Sequence, residues 1–160
     1  MIKRICFFSG GFAFNRLVRL RYYEKIFPKE VEIFLFTTNK DRNNDWDLKR
    51  TKIIFADSNP LKLPFHLRKF CLENKIDRII NLGRHEACIN FLPSIIFSKT
   101  EFFINVLGWT YDRHKSKILS MARVIFFYFL ILFSKRVIFN DYVDLKKTKN
   151  IFPNKDMKYL

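Results

Sequence analysis

KRICFFSGGFAFNRLVRLRYYEKIF, residues Lys3 to Phe27, holds the choice on which the rest of the chain depends. An apolar run, Ile5 to Phe8, breaks at Ser9-Gly10-Gly11, and a basic, aromatic segment of helical character follows at once. A secretory signal is not expected here: the apolar core is too short, and no small-residue cleavage site follows before Arg16. The stretch reads as a strand, a glycine turn and a helix. In the helix, Phe14, Leu17, Val18, Arg21 and Tyr22 recur at spacings of three and four, so one stripe can face a sheet. Arg16, Arg19 and Lys25 fall largely outside that stripe.

The same alternation continues outward. Short runs rich in Ile, Val and Phe recur at Arg4–Ser9, Glu32–Thr38, Lys52–Ala56, Arg78–Gly83, Phe102–Gly108 and Arg136–Asn140. They are continuously apolar rather than alternating, which suits parallel strands covered on both faces. Helices are expected between them at Phe14–Phe27, Pro64–Asn74, His85–Ser98 and Lys117–Ser134, with a short one at Asp141–Lys149. Pro28 stops the first helix and Pro64 can open the second. Asp77 and Asp141 stand at element boundaries, where their side chains can cap. Strand and helix in alternation predict an α/β fold: a Rossmann-like, doubly wound, mostly parallel sheet forming one domain over residues 1–160. The polar stretch Asn39–Arg50 reads as an exposed loop.

Composition narrows the partners. The 160 residues are 49% hydrophobic, ample for a core, and 18% aromatic, which argues against disorder. Thirty Lys and Arg against fifteen Asp and Glu leave a charge of +15, which favours anionic partners. Cys6, Cys71 and Cys88 are odd in number and too far apart for a zinc knuckle, so they read as reduced, buried thiols of a cytoplasmic protein. No metal-ligand spacing and no cofactor fingerprint is present.

In a doubly wound sheet, ligands bind beyond the carboxyl ends of the strands where the strand order reverses. Three loops qualify. In Ser9–Arg16, Gly10 and Gly11 let the backbone approach a ligand, and the helix after Phe12 offers N–H groups to an anion, with Asn15 and Arg16 beside them. The spacing matches neither the dinucleotide fingerprint nor a Walker loop, and a plain tight turn is the other reading. In Gly83–Ala87, Arg84, His85 and Glu86 bring a cation, an imidazole and a carboxylate together. His85, the candidate catalytic residue, could take a proton or bond a sugar hydroxyl. Equally, His85 and Glu86 could simply begin a helix. In Gly108–His114, Gly108 and Trp109 open an aromatic, charged loop able to stack on a sugar or a ring.

Val124–Phe133 is the longest apolar run, ten residues where a spanning helix needs about twenty. Cations stand at both ends of its helix: Lys115, Lys117, Lys135 and Arg136. Two readings stay open, a buried central helix or one lying at an acidic membrane surface on the inner face of the cell membrane.

In element order, and in "ICFFSGGFAFNRLVRLRYY", "KIDRIINLGRHEACIN" and "SKRVIFNDYVDLKKTKNIFPNKDMKYL", the chain resembles the amino-terminal half of a glycosyltransferase family 4 enzyme, of the two-domain GT-B architecture. The resemblance spans all 160 residues. It implies a last short strand after the final helix, and retaining sugar transfer from a nucleotide-sugar donor to a sugar or lipid-linked acceptor, without metal or other cofactor. The carboxyl-terminal donor-binding domain or subunit would be a separate requirement, leaving this chain incomplete as a catalyst. Two departures stand out. The family often has a histidine where this chain reads Leu107-Gly108-Trp109, and two-part transferases usually have one directly after the glycine pair, where this chain has Phe12. A membrane-anchoring acceptor subunit of such a two-part enzyme is the second expectation. A nucleic-acid module is third and not favoured, because it would need exposed aromatics on a basic face, whereas most Phe here lie in runs of buried type.

Overall fold

A computed structural model describes residues 3–9, 14–38, 40, 43, 45–83, 88, 90–97, 99–106 and 117–159. Its strands are β1 (Arg4–Phe8), β2 (Glu32–Thr38), β3 (Thr51–Ala56), β4 (Arg78–Asn81), β5 (Glu101–Val106), β6 (Arg136–Phe139) and β7 (Met157–Tyr159). The helices are α1 (Phe14–Ile26), α2 (Leu63–Glu73), α3 (Leu92–Phe97), α4 (Lys117–Phe133) and α5 (Tyr142–Ile151). The strands form one sheet in the order β3-β2-β1-β4-β5-β6-β7, and every neighbouring pair is parallel. The expected α/β, Rossmann-like, doubly wound sheet is the one observed, including the short strand after the last helix.

Two cores sandwich the sheet because side chains alternate along each strand. On one face Ile5, Phe7, Ile33, Leu35, Ile80 and Leu82 pack under Leu17 and Leu20 of α1. On the other, Cys6, Phe8, Phe36, Ile79, Phe102 and Val137 meet Leu67 and Phe70 of α2 and Leu130 and Ile131 of α4. Phe91 stands edge-on to both Phe8 and Phe102, at centroid distances of 5.0 and 4.9 Å. Each such buried ring contributes about 1.5–3 kcal/mol through burial alone.

The amino ends of parallel strands share one edge, and arginines that start strands tie it together. Arg4 pairs with Glu32 at 3.1 Å, Arg78 with Glu101 at 2.8 Å, and Arg136 with Asp156 at 2.6 Å. Arg78 and Arg136 both lie over the Phe103 ring. Asp77 accepts from the Arg4 N–H at 2.8 Å, so it joins two strand starts. Asp141 caps α5 as expected, accepting from the Asp144 N–H at 3.0 Å. Pro64 stands in the first turn of α2.

Three expectations change. The face of α1 turned to the sheet carries Leu17, Leu20 and Glu24, while Phe14, Val18 and Tyr22 are exposed. This helix has apolar residues on both sides, so the pattern alone could not orient it. The third helix is much shorter than His85–Ser98, beginning at Leu92, because Pro93 is tolerated only in a first turn. The polar stretch before β3 is not simply exposed. Trp46 is buried and Leu48 half-buried against the α1-side core, covering a β2-to-β3 crossover with no α-helix among its described residues.

Candidate functional site

The chain leaves β1 toward β2 on one side and later returns to β4 on the other side. The strand order therefore reverses between β1 and β4, and the crevice beyond their carboxyl ends is where such folds bind ligands. Backbone bonds fix its walls. The Ser9 N–H donates to the Phe36 carbonyl at 3.0 Å, and the Leu82 N–H donates to the Phe8 carbonyl at 2.9 Å. Ser9 is fully buried, and Gly83 is buried across from it.

Arg16, in the first turn of α1, reaches into this crevice. Its Nη1 donates to Ser9 Oγ at 3.2 Å. A Cβ placed on Gly83 would lie 3.3 Å from Arg16 Nη2 and 3.5 Å from Cζ. The guanidinium thus lies against bare backbone, and glycine provides the room. A planar, permanently charged fork half-buried at a strand-order reversal is suited to phosphate or carboxylate.

Two asparagines brace the next loop. Asn81 Nδ2 donates to the Gly83 carbonyl at 2.8 Å and to the Asn105 carbonyl at 3.0 Å, and Asn81 Oδ1 accepts from the Asn105 N–H at 2.6 Å. This holds Gly83 in place and locks the carboxyl ends of β4 and β5 together. Asn105 itself is 1% exposed, and its Oδ1 has no hydrogen-bond partner among the described residues. A buried acceptor left open costs free energy unless something donates to it. The Arg16 guanidinium is a donor suited to an anion, and the open Asn105 acceptor stands at the carboxyl end of β5, on the same edge of the sheet.

Of the residues singled out from sequence, Arg16 stands in this crevice and Asn15 is exposed beside it at the start of α1. Gly10, Gly11, Phe12, Arg84, His85, Glu86, Gly108, Trp109 and Lys115 lie outside the described residues. Lys117 opens α4, and Lys135 is exposed just after it. Arg136 is engaged with Asp156 and Phe103, on the sheet rather than on α4. Ser9, Asn81 and Asn105 were not read as site residues. The signal for Asn81 and Asn105 was a polar residue inside an otherwise apolar run, in RIINLG and in FFINVLG. Among the described residues no cluster of His, Cys, Asp and Glu could hold a metal ion.

α4 supplies a second surface. Phe127, Leu130 and Ile131 face the core, yet Ile118, Met121, Ile125 and Leu132 are each more than 60% exposed. The helix is therefore not wholly buried, and no helix among the described residues is long and apolar enough to cross a membrane. At its carboxyl end Lys155 Nζ donates to the Leu132 and Ser134 carbonyls, placing a cation against the negative end of the helix dipole. The sequence matches no protein-family model and no curated protein.

Proposed function

We propose that this chain is the acceptor-side, Rossmann-like domain of a GT-B glycosyltransferase, working with a donor-binding domain in the same or another polypeptide. The observation that carries the reading is the Arg16 guanidinium lying between Ser9 and Gly83 in the crevice at the strand-order reversal. In this role Arg16 meets a phosphate of the nucleotide-sugar donor or of a lipid-linked acceptor. Asn105 Oδ1 accepts from a ligand hydroxyl, and His85 remains the candidate for a proton. Transfer needs no metal or further cofactor in this reading, since the cation at the phosphate is supplied by the protein.

Isothermal titration of the chain with inorganic pyrophosphate tests this. Pyrophosphate, the group a nucleotide-sugar donor and a lipid-linked acceptor share, should bind saturably, and Arg16→Ala should weaken it by about tenfold or more, as expected for loss of a charge-assisted hydrogen bond. Gly83→Val should do the same by pushing the guanidinium aside, with little change in melting temperature. Binding indifferent to both substitutions would remove the crevice from the proposal.

A second reading has its own observation. The exposed stripe of Ile118, Met121, Ile125 and Leu132 on α4 supports a membrane-associated acceptor subunit of a two-part transferase, resting on an acidic leaflet.

A further inference from the structure

The amino edge of the sheet, opposite the crevice, holds another cavity. Its volume is about 440 Å³, and Arg21, Glu24, Lys25, Asp47, Lys49 and Arg50 line it. That is room enough for a small ligand. α1 spans the two edges, so Lys25 stands about 14 Å along the helix axis from Arg16. The two places are separate.

Charge is what distinguishes this cavity. Both of its carboxylates are occupied by the protein. Glu24 Oε1 accepts from the Arg50 N–H (2.7 Å), the Thr51 N–H (2.7 Å) and Thr51 Oγ1 (2.8 Å), while its Oε2 accepts from the Lys49 N–H (3.2 Å). Asp47 pairs with Arg21. Arg50 faces carbonyls rather than acids. Its Nη1 donates to Glu24 O and Phe27 O, and its Nη2 to Pro28 O and Val31 O, carbonyls at the end of α1 and in the turn that follows it. Lys25 and Lys49 make no ion pair among the described residues. Four cations against two carboxylates leave the lining doubly positive.

The backbone adds a second observation. Asp47 has φ of +34°, in the left-handed region that a non-glycine residue enters at a cost. It is held there by Arg21 at its carbonyl and carboxylate, and by Asp45 Oδ1 accepting its N–H. The turn that presents Lys49 is thus built by specific bonds, not left to solvent.

We propose that this cavity binds a phosphoryl dianion, with Lys25 and Lys49 as its ammonium contacts. Two unpaired ammonium groups match a doubly charged phosphate monoester, and lysine serves phosphate as a point charge. A carboxylate would neutralise only one of them. The phosphoryl group can belong to a soluble ester or to a lipid headgroup, because an apolar row adjoins the cavity. Phe14, Val18, Tyr22 and Ile26 are exposed at successive i+4 positions of α1, and Arg21 and Lys25 follow Val18 and Tyr22 by three.

The test uses Trp46, next to Asp47, as the reporter in a Trp109→Phe background, where it is the one tryptophan. Glycerol phosphate is titrated in one arm, and phosphatidylcholine vesicles with and without phosphatidic acid in the other. A saturable fluorescence change with the ester assigns a soluble ligand; a change only with phosphatidic acid assigns a lipid headgroup. Either supports the proposal if Lys25→Ala/Lys49→Ala weakens it by about tenfold or more and Arg16→Ala leaves it unchanged. The lysine variant should melt within a few degrees of the parent, since Lys25 and Lys49 are exposed. No response in either arm, a response that survives the lysine pair, or one abolished by Arg16→Ala would overturn it. The last outcome would return the phosphate to the crevice and leave the function proposed above untouched.

Discussion

Glu24 accepts four hydrogen bonds from Lys49, Arg50 and Thr51 while only 9% exposed, and so joins α1 to the segment that enters β3. Burial alone would raise its pKa, but the Thr51 hydroxyl and the N–H groups of Arg50, Lys49 and Thr51 outweigh it, and the net shift is downward from 4.5. A carboxyl whose folded pKa is lowered adds stability that is present above its unfolded value and is lost as pH falls through the folded one. Glu24→Ala should therefore cost about 1–3 kcal/mol at neutral pH by leaving those donors unpaired. Glu24→Gln should cost less, and denaturant melts below pH 4.5 should show the gap between parent and Gln variant closing. A gap that stays constant from pH 7 to 3 would mean that the charge on Glu24 contributes nothing. At this scale the sequence was only partly legible. Glu24 sits in a basic helix with nothing in its neighbours to single it out, and Asn81 and Asn105 are polar residues within apolar runs. What they bond to lies far along the chain, where composition and spacing say nothing. Arg16 was legible, because its distance from the glycine pair fixes it in the first turn of α1.

Elements were easier to foresee than their orientation. The strands could be read because a run apolar on both sides has one stable place, the middle of a sandwich. α1 and α4 could not be oriented, because each is apolar on more than one side and the unused side is simply left exposed. On α4 this leaves a stripe that can be tested. The helix should bring the protein to vesicles containing acidic lipid, where each nearby cation adds about 1 kcal/mol. That attraction should weaken as salt shortens the Debye length. Lys135 is the described cation best placed for this; Arg136 is already paired. Ile125→Asp/Leu132→Asp should abolish sedimentation with acidic vesicles without lowering the melting temperature, since both side chains are more than 60% exposed. Equal sedimentation of parent and variant would show that α4 is not the contact.

For the molecule as a whole, alternating strands and helices were sufficient to imply one parallel sheet with a core on each side. They were not sufficient to show how evenly the cores are sealed, which the cysteines report. Cys6 on β1, Cys71 on α2 and Cys88 before α3 are each at most 1% exposed and belong to the same core. Burial first, and then the hydrogen bond and charge of Cys71, push the Cys6 thiol well above its usual range. A thiol attacks only as thiolate, and a reagent must also reach it. The three sites lie on different elements and are shielded by one packed layer, so they should become reactive together. A disulfide reagent at neutral pH should find almost no reactive thiol in the native protein, and three after guanidinium unfolding. The denaturant midpoint for thiol exposure should coincide with that for loss of helix signal, as two-state unfolding requires. One thiol reacting at far lower denaturant than the others would mean that its element opens by itself. If that thiol were Cys88, the packing around Cys88 just before α3 would be the part of this core that opens first.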